Sequence, residues 1–240
     1  MESFTYEQMK KQQDEHWWYL GRKNIIDQIM RNFVGENNKI LDIGGGMGGN
    51  IELLSKYGKV TIFEKNSYAV NHLTNLNLCQ VIQGSFPENI DKEWLNYDVF
   101  TMFDVLEHVS NDQQALIDLY NSMKLNGKLI LTVPAYQSLF STHDEIFHHY
   151  RRYNIREILD KSNMAGFKIQ HYTYFNTLLF PIAYTSRVLS KAFPKLQKYE
   201  QANNKSGGNL ILKNIFSLEK HLVNKFSLPF GLSILLILKK

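Results

Sequence analysis

Short runs of Val, Ile and Leu, each closed by a glycine or a polar turn and followed by a helical pattern, recur along much of the chain. "KILDIGG", "KVTIFEKN", "CQVIQGS", "YDVFTMFDVL" and "GKLILTVPA" read as strands. Asn50 to Lys56, "SYAVNHL" and "NDQQALIDLYNSMK" read as the helices between them. Strands apolar on both faces and separated by helices need cover on both sides, which a parallel sheet between helical layers provides. A doubly wound α/β fold is therefore expected. Ahead of it, Ile25, Ile26, Ile29, Met30 and Phe33 recur at three- and four-residue spacing and predict an amphipathic helix from Trp18 to Val34.

After Tyr153 the alternation loosens. A helix from Ile155 to Met164 is closed by Gly166, and "FKIQHYTYF" follows as a strand. An aliphatic helical segment from Asn176 to Phe193 leads into "KLQKYEQANNKSGGN", which has the composition of a mobile loop. A helix from about Leu210 to Lys225 and a strand, "GLSILLILKK", complete the pattern. The expected division is a helical lid at 1–38, a core at 39–174, a helical cap insert at 175–228 with its mobile loop near 197–209, and a final core strand at 229–240.

A formal charge of +4 without basic blocks gives no reason to expect nucleic acid as a partner. Cys79 is the single cysteine, which excludes an intrachain disulfide and an all-cysteine metal cage and suits a reducing compartment. The polar N-terminal stretch lacks the apolar run of a signal peptide. "YFNTLLFPIAY" and "FGLSILLIL" fall short of the roughly 20 residues that a spanning helix needs. A cytoplasmic protein is expected.

The segment "ILDIGGGMGGN" lies at the turn from the first strand to the next helix, where glycines admit a ligand to the backbone. It fits two templates. Gly44-x-Gly46-x-x-Gly49, with Glu64 twenty residues beyond Gly44, matches a dinucleotide fingerprint and leaves a nicotinamide-dependent (NAD) oxidoreductase open. Asp42-x-Gly44-x-Gly46-x-Gly48 matches a different signature.

The ordered set "LDIGGGMGG", "VTIFEKN", "VIQGSF", "YDVFTMFDVLEHV" and "LKLNGKLILTVPA" resembles class I S-adenosylmethionine-dependent methyltransferases from about Lys39 to Pro134, and again in the last strand. The resemblance implies a Rossmann-like sheet of seven strands, mostly parallel with an antiparallel last strand, plus a small helical cap. It also implies S-adenosylmethionine as cofactor and S-adenosylhomocysteine as product. By the same resemblance Gly44, Gly45, Gly46 and Gly48 line the methionine end, and Asp42 orients its amino group through the loop. Glu64, followed by Lys65, takes the ribose hydroxyls. Gly84, Ser85 and Phe86 edge the adenine, although many relatives carry aspartate where this chain has Ser85. Phe103 and Asp104 lie nearest the sulfonium. "HWWYLGR" and "FSTHDEIFHHYRRY" resemble a bacterial branch associated with glycan and secondary-metabolite pathways, so the expected reaction is O-methylation of a small-molecule, sugar or glycan-type acceptor. A catalytically inactive partner with the same fold is the non-enzyme alternative.

An alcohol acceptor has to lose a proton, and open parallel sheets carry their ligands beyond the strand ends. His108, after the fourth strand, and His143, Asp144, His148 and His149, after the fifth, are the candidate catalytic residues. If the second segment is helical, Asp144 shares a face with His148 and Glu145 with His149. It matches no zinc-ligand spacing, so proton removal and positioning are expected there, with no metal. Arg151 and Arg152 offer forked donors to a phosphate or carboxylate on the acceptor; their other reading is a salt bridge to Glu145, Asp144 or Glu157. Trp17 and Trp18, with Arg22, and Tyr136 after the fifth strand complete the expected acceptor-lining set. The tryptophans alternatively anchor the first helix as a hydrophobic staple. The aliphatic run Thr177 to Val188, with Arg187, Lys191, Lys195 and Lys198 near or beyond it, suits either a peripheral membrane contact or a helix packed on the core or in a homodimer.

Overall fold

The computed structural model describes residues 3–185 and 209–240. Seven strands, β1 Asn38–Ile43, β2 Gly58–Glu64, β3 Gln80–Gln83, β4 Val99–Phe103, β5 Lys128–Pro134, β6 Lys168–Phe175 and β7 Ser233–Lys239, form one sheet. Their order is β3-β2-β1-β4-β5-β7-β6. The strands from β3 to β5 pair in parallel, and β7 runs antiparallel to both β5 and β6. This is the mixed seven-stranded sheet that the ordered motifs implied.

Alternation along the strands divides the core in two. Leu41, Ile43, Phe100 and Met102 enter one cluster with Leu116 and Leu119 of α5, Asp112–Ser122, and Ile158 of α7, Ile155–Met164. Ile40, Val60, Val99 and Ile130 face the other way and meet α2, Trp17–Phe33. Ile25, Ile26, Ile29 and Met30 of α2 are all fully buried, as their helical spacing requires. The helix α8, Asn209–Leu218, lies on α2 in the same layer. At Gly21 a Cβ would sit 2.4 Å from the ring of Phe216, so glycine permits this close crossing.

The polar N-terminal stretch folds as α1, Ser3–Gln12. Tyr6 packs with Met47 of the glycine loop and with Ala69 of α4, Ser67–Leu76, and Met9, one helical turn on, borders the cluster. The short helix α3, Ile51–Ser55, follows the loop, and α6, Thr142–Ile146, follows β5. Residues 180–185 are helical. The remainder of the aliphatic segment, including Arg187, Lys191, Lys195 and Lys198, and positions 197–208 of the expected mobile loop lie outside the described residues. Among the described residues no helix is long and apolar enough to cross a membrane. The strand order reverses between β1 and β4, which opens a crevice at their C-terminal ends.

Candidate functional site

A cleft at that switch point is lined by Asp42, Gly44, Gly45, Gly46, Gly49 and Phe103 from the sheet side, with Met9, Gln13, Tyr19 and Arg22 among the residues across from them. Gly44 has φ +70°, and a Cβ there would lie 2.6 Å from Val105, so a side chain is excluded twice over. Gly48, with φ +81°, is closed in by Leu73 and Ile51 in the same way. Glu64 ends β2 and is buried, with Gly46 N–H donating to Oε2 at 3.0 Å. Its Oε1 accepts from Asn66 N–H at 2.9 Å and from the Tyr6 hydroxyl at 3.1 Å. An acid at this strand end beside a glycine loop is the place where a ribose-bearing cofactor is held, and here the Tyr6 hydroxyl of α1 sits on that acid.

Asp42 and Thr101 are register partners on β1 and β4, and the Thr101 hydroxyl donates to Asp42 Oδ1 at 2.6 Å. Burial pushes the Asp42 carboxyl up to about 7, against the opposing pull of that hydrogen bond. Gly84, Ser85 and Phe86 follow β3. Phe86 stacks on Trp94 at 6.3 Å, and the Ser85 hydroxyl is turned to Glu88 at 2.8 Å. Lys65 is exposed beyond Glu64, near enough to His108 to depress its basicity.

Asp104 closes β4 with φ +57°, a sparsely populated conformation for a non-glycine residue. The turn is held by Asp104 N–H donating to Thr132 O at 3.1 Å and by the Thr132 hydroxyl donating to Asp104 Oδ1 at 3.2 Å. Arg22 forms an ion pair with Oδ2 of the same carboxylate. The guanidinium also lies 4.4 Å from the centre of the Trp18 ring, a cation–π distance. Trp18 and Arg22 thus reach the cofactor end of the sheet, whereas Trp17 packs edge-on to Phe216 at 5.9 Å in the helical layer. Tyr136, with φ +61°, stacks on Tyr174 at 5.4 Å.

The segment after β5 does not form one continuous helix. Its helix stops at Ile146 and His148 takes φ +57°, which leaves His148 exposed and turns His149 inward. The expected pairing of Asp144 with His148 is therefore replaced by Asp144 with His149, at 2.9 Å between Oδ1 and Nδ1. His143 lies within the helix. Asp144 is fully buried and gathers more donors: Ser141 N–H at 2.9 Å, and Arg152 Nε at 2.8 Å and Nη2 at 3.0 Å. Burial alone would raise this carboxyl, but the bonds from His149, Arg152 and Ser141 hold it well below the usual range. Arg152, expected to face an acidic acceptor, is instead 5% exposed and committed to Asp144. Arg151 pairs with Asp112 at 2.9 Å and donates to Ser110 O at 2.6 Å. Asp112 was not among its expected partners, because only the fold brings α5 alongside.

The inward turn places the His149 ring edge-on to His108, 4.6 Å between centroids. His108 ends a 3₁₀ turn, Leu106–His108, directly after β4. Burial, then the neighbouring His149 and Lys65, lower its basicity to about 3, so it is a neutral imidazole at physiological pH. Beside it Glu107 is fully buried, and its carboxylate has no hydrogen-bond partner beyond its own backbone amide. Burial and the nearby Asp104 raise its carboxyl well above the normal value. Glu107, His108 and His149 offer ligand-type atoms that all lie within 4.8 Å of one another. The sequence pointed to His108 and His149 separately. Glu107 was legible only as a possible contact of cofactor or acceptor, and its isolation beside the two histidines is produced by packing. Tyr6 and Met9 were missed, because the N-terminal stretch reads as polar and only the fold brings it onto the glycine loop.

A family profile described as "Methyltransferase domain" matches residues 16–177. The chain also resembles a ribosomal RNA small subunit methyltransferase A from Mycoplasmopsis synoviae, 45% identical over 58 residues, 24% of this chain and 22% of that protein. The chain therefore spans only about a fifth of that curated relative. Among solved structures, a SAM-dependent methyltransferase from Archaeoglobus fulgidus superposes with a TM-score of 0.58 at 16% identity, covering 91% of this chain and 94% of that one. Phosphoethanolamine N-methyltransferase 2 from Haemonchus contortus, in complex with S-adenosyl-L-methionine, gives 0.57 at 16% identity over 90% of this chain and 52% of the other. The profile runs through the glycine loop, the acid that ends β2, the turn after β4 and the inward histidine, and the chain belongs to the methyltransferase-domain family as a class I S-adenosylmethionine-dependent methyltransferase.

Proposed function

We propose that the chain methylates an oxygen of a small-molecule, sugar or glycan-type acceptor, with a histidine taking the acceptor proton. The observation that carries this reading is the assembly of His108, His149 and Glu107 beside Asp104, at the end of the sheet where the glycine loop opens. S-adenosylmethionine, when bound, supplies an electrophilic methyl group on a sulfonium, which an in-line nucleophile can take. Asp42, the glycines at 44, 45, 46 and 48, Glu64 with Lys65, the 84–86 turn, Phe103 and Asp104 would hold that cofactor. Positioning is worth roughly 7–11 kcal/mol for well-oriented reactants, and a general base adds about 10²- to 10⁴-fold. His149 suits the base role because Asp144 fixes one ring nitrogen and leaves Nε2 as the proton acceptor. His108, in ring contact with it, is the weaker candidate, because its lowered basicity makes it a poor proton acceptor near neutral pH. His143 and His148 remain acceptor-side candidates on the same segment, with Tyr136 and Trp18, while Trp17, packed on Phe216, serves the helical layer instead. Because Arg151 and Arg152 are committed to Asp112 and Asp144, a neutral hydroxyl suits the position better than an acidic group.

Acceptor libraries incubated with isotopically labelled methyl donor and read by mass spectrometry test the reading. A labelled O-methyl product that His149→Gln reduces about 100-fold or more, with cofactor affinity unchanged by calorimetry, is the expected result. Methylation confined to nitrogen or carbon, or full turnover in His149→Gln and His108→Gln together, would refute it.

A further inference from the structure

We infer that Glu107, His108 and His149 form a binding site for a divalent transition-metal ion, a zinc- or manganese-type cation. Two imidazoles and one carboxylate are a donor set such ions favour, and three protein ligands leave positions open for oxygen. The ligand atoms already lie within 4.8 Å of one another. In a tetrahedral site with bonds near 2.1 Å neighbouring donors sit about 3.4 Å apart, so rotation of the side chains by an ångström or so completes the shell.

Three further observations point the same way. Glu107 is fully buried and its two carboxylate oxygens have no hydrogen-bond partner from another residue, a costly state that a cation resolves. His149 is held through Nδ1 by Asp144, which Arg152 grips with two donors; this is the carboxylate–histidine arrangement that orients a metal ligand and leaves Nε2 to the ion. His108 ends the turn directly beside Glu107 and meets the His149 ring edge-on, 4.6 Å between centroids, so the two imidazoles already share one site. Asp104 is not counted among the ligands, since Arg22 and Thr132 already occupy its oxygens.

The site deepens the proposed oxygen chemistry but does not rest on it. An acceptor hydroxyl at an open coordination position loses its proton more readily, so the ion would take over the role otherwise given to a free imidazole.

The test uses the full chain without cofactor or acceptor, so its outcome is separate from that of the methylation assay. Protein stripped with a chelator is titrated with Co(II), whose visible absorption reports inner-shell nitrogen and oxygen ligands, and then with Zn(II) in competition. Expected are saturable uptake and displacement by Zn(II) in the wild type, with the absorption lost in Glu107→Gln, His108→Ala and His149→Ala. Asp144→Asn should weaken binding by about 10- to 100-fold, as expected for a positioning residue. Circular dichroism and melting curves identify any variant that fails to fold. His149→Ala, whose side chain is 12% exposed, and the isosteric Glu107→Gln are the variants that decide. Absence of an absorption band and of binding heat in the wild type overturns the inference, as does retention of the band in folded Glu107→Gln and His149→Ala.

Discussion

Replacing Arg152 by methionine removes a guanidinium that is 5% exposed and leaves its fully buried partner, Asp144, to the remaining donors. Breaking a buried ion pair from one side typically costs about 3–5 kcal/mol, because the surviving charge stays desolvated. Here Asp144 keeps the Ser141 amide at 2.9 Å, the Ser141 hydroxyl at 3.2 Å and His149 at 2.9 Å, which places the expected loss at the lower end, about 3 kcal/mol. For a domain of this size that corresponds to a fall in Tm of about 6–12 °C. Urea denaturation followed by the fluorescence of the buried Trp94 measures the free energy, and a scanning melt measures Tm. The double variant Arg152→Met with Asp144→Leu removes both charges and should recover about 1 kcal/mol or more of the loss, the remainder being the unmatched His149 nitrogen and Ser141 donors. A loss below about 1 kcal/mol in Arg152→Met, the size of an exposed pair, would show that the Asp144 charge does not depend on the guanidinium.

Gly21→Ala should destabilise the chain although alanine favours a helix by about 1 kcal/mol, because its Cβ would meet Phe216 at 2.4 Å and overpacking costs about 1–3 kcal/mol; adding Phe216→Leu should reverse the sign in the same urea titration. Gly44→Ala should abolish S-adenosylmethionine binding in calorimetry while the chain remains folded, since the new Cβ lies 2.6 Å from Val105 in a loop with φ +70°. Asp112, held below the normal carboxylate range by Lys161, Tyr153 and Arg151 despite its burial, stabilises the fold above its unfolded pKa and loses that contribution as pH falls through the depressed folded value. The Tm gap between wild type and Asp112→Asn should therefore be widest near neutrality and shrink in acid. Asp42 has the opposite sign: with its carboxyl raised to about 7, the folded state keeps a proton that the unfolded chain releases, so stability falls as pH rises from about 4 to 7. Asp42→Asn should gain on the wild type across that interval in pH-dependent melts.

The sheet was readable because its information is local. Each strand carried its own apolar run, and the turn after β1 its own glycines. The resemblance implied seven strands with an antiparallel last one, and the structure gives their order. Residues brought together across the sheet were harder to read. Arg151 finds Asp112 only because α5, about forty positions earlier in the chain, lies against the segment after β5. The spacing argument for Asp144 and His148 assumed a continuous helix, and it gave way to a left-handed residue that nothing in "HDEIFHH" marks. Glu107 is distinguished by the absence of partners, a property that belongs to its surroundings. The N-terminal helix was legible as composition only, and the contact of Tyr6 with Glu64 joins positions far apart in the chain.

The order of the strands also bears on synthesis. β7, the last strand in the sequence, lies between β5 and β6 and pairs with each along its whole length, from Ser233 to Lys239. As the chain leaves the ribosome, β6 emerges more than fifty residues before β7, its one partner among the described residues, and β5 waits with one edge open. The nascent protein therefore carries two unsatisfied strand edges for a stretch of translation in which the parallel half, with its glycine loop, is already complete. A cofactor that binds this half could engage before the sheet closes, and the arrival of β7 would then be the step that seals both edges of a loaded, aggregation-exposed intermediate.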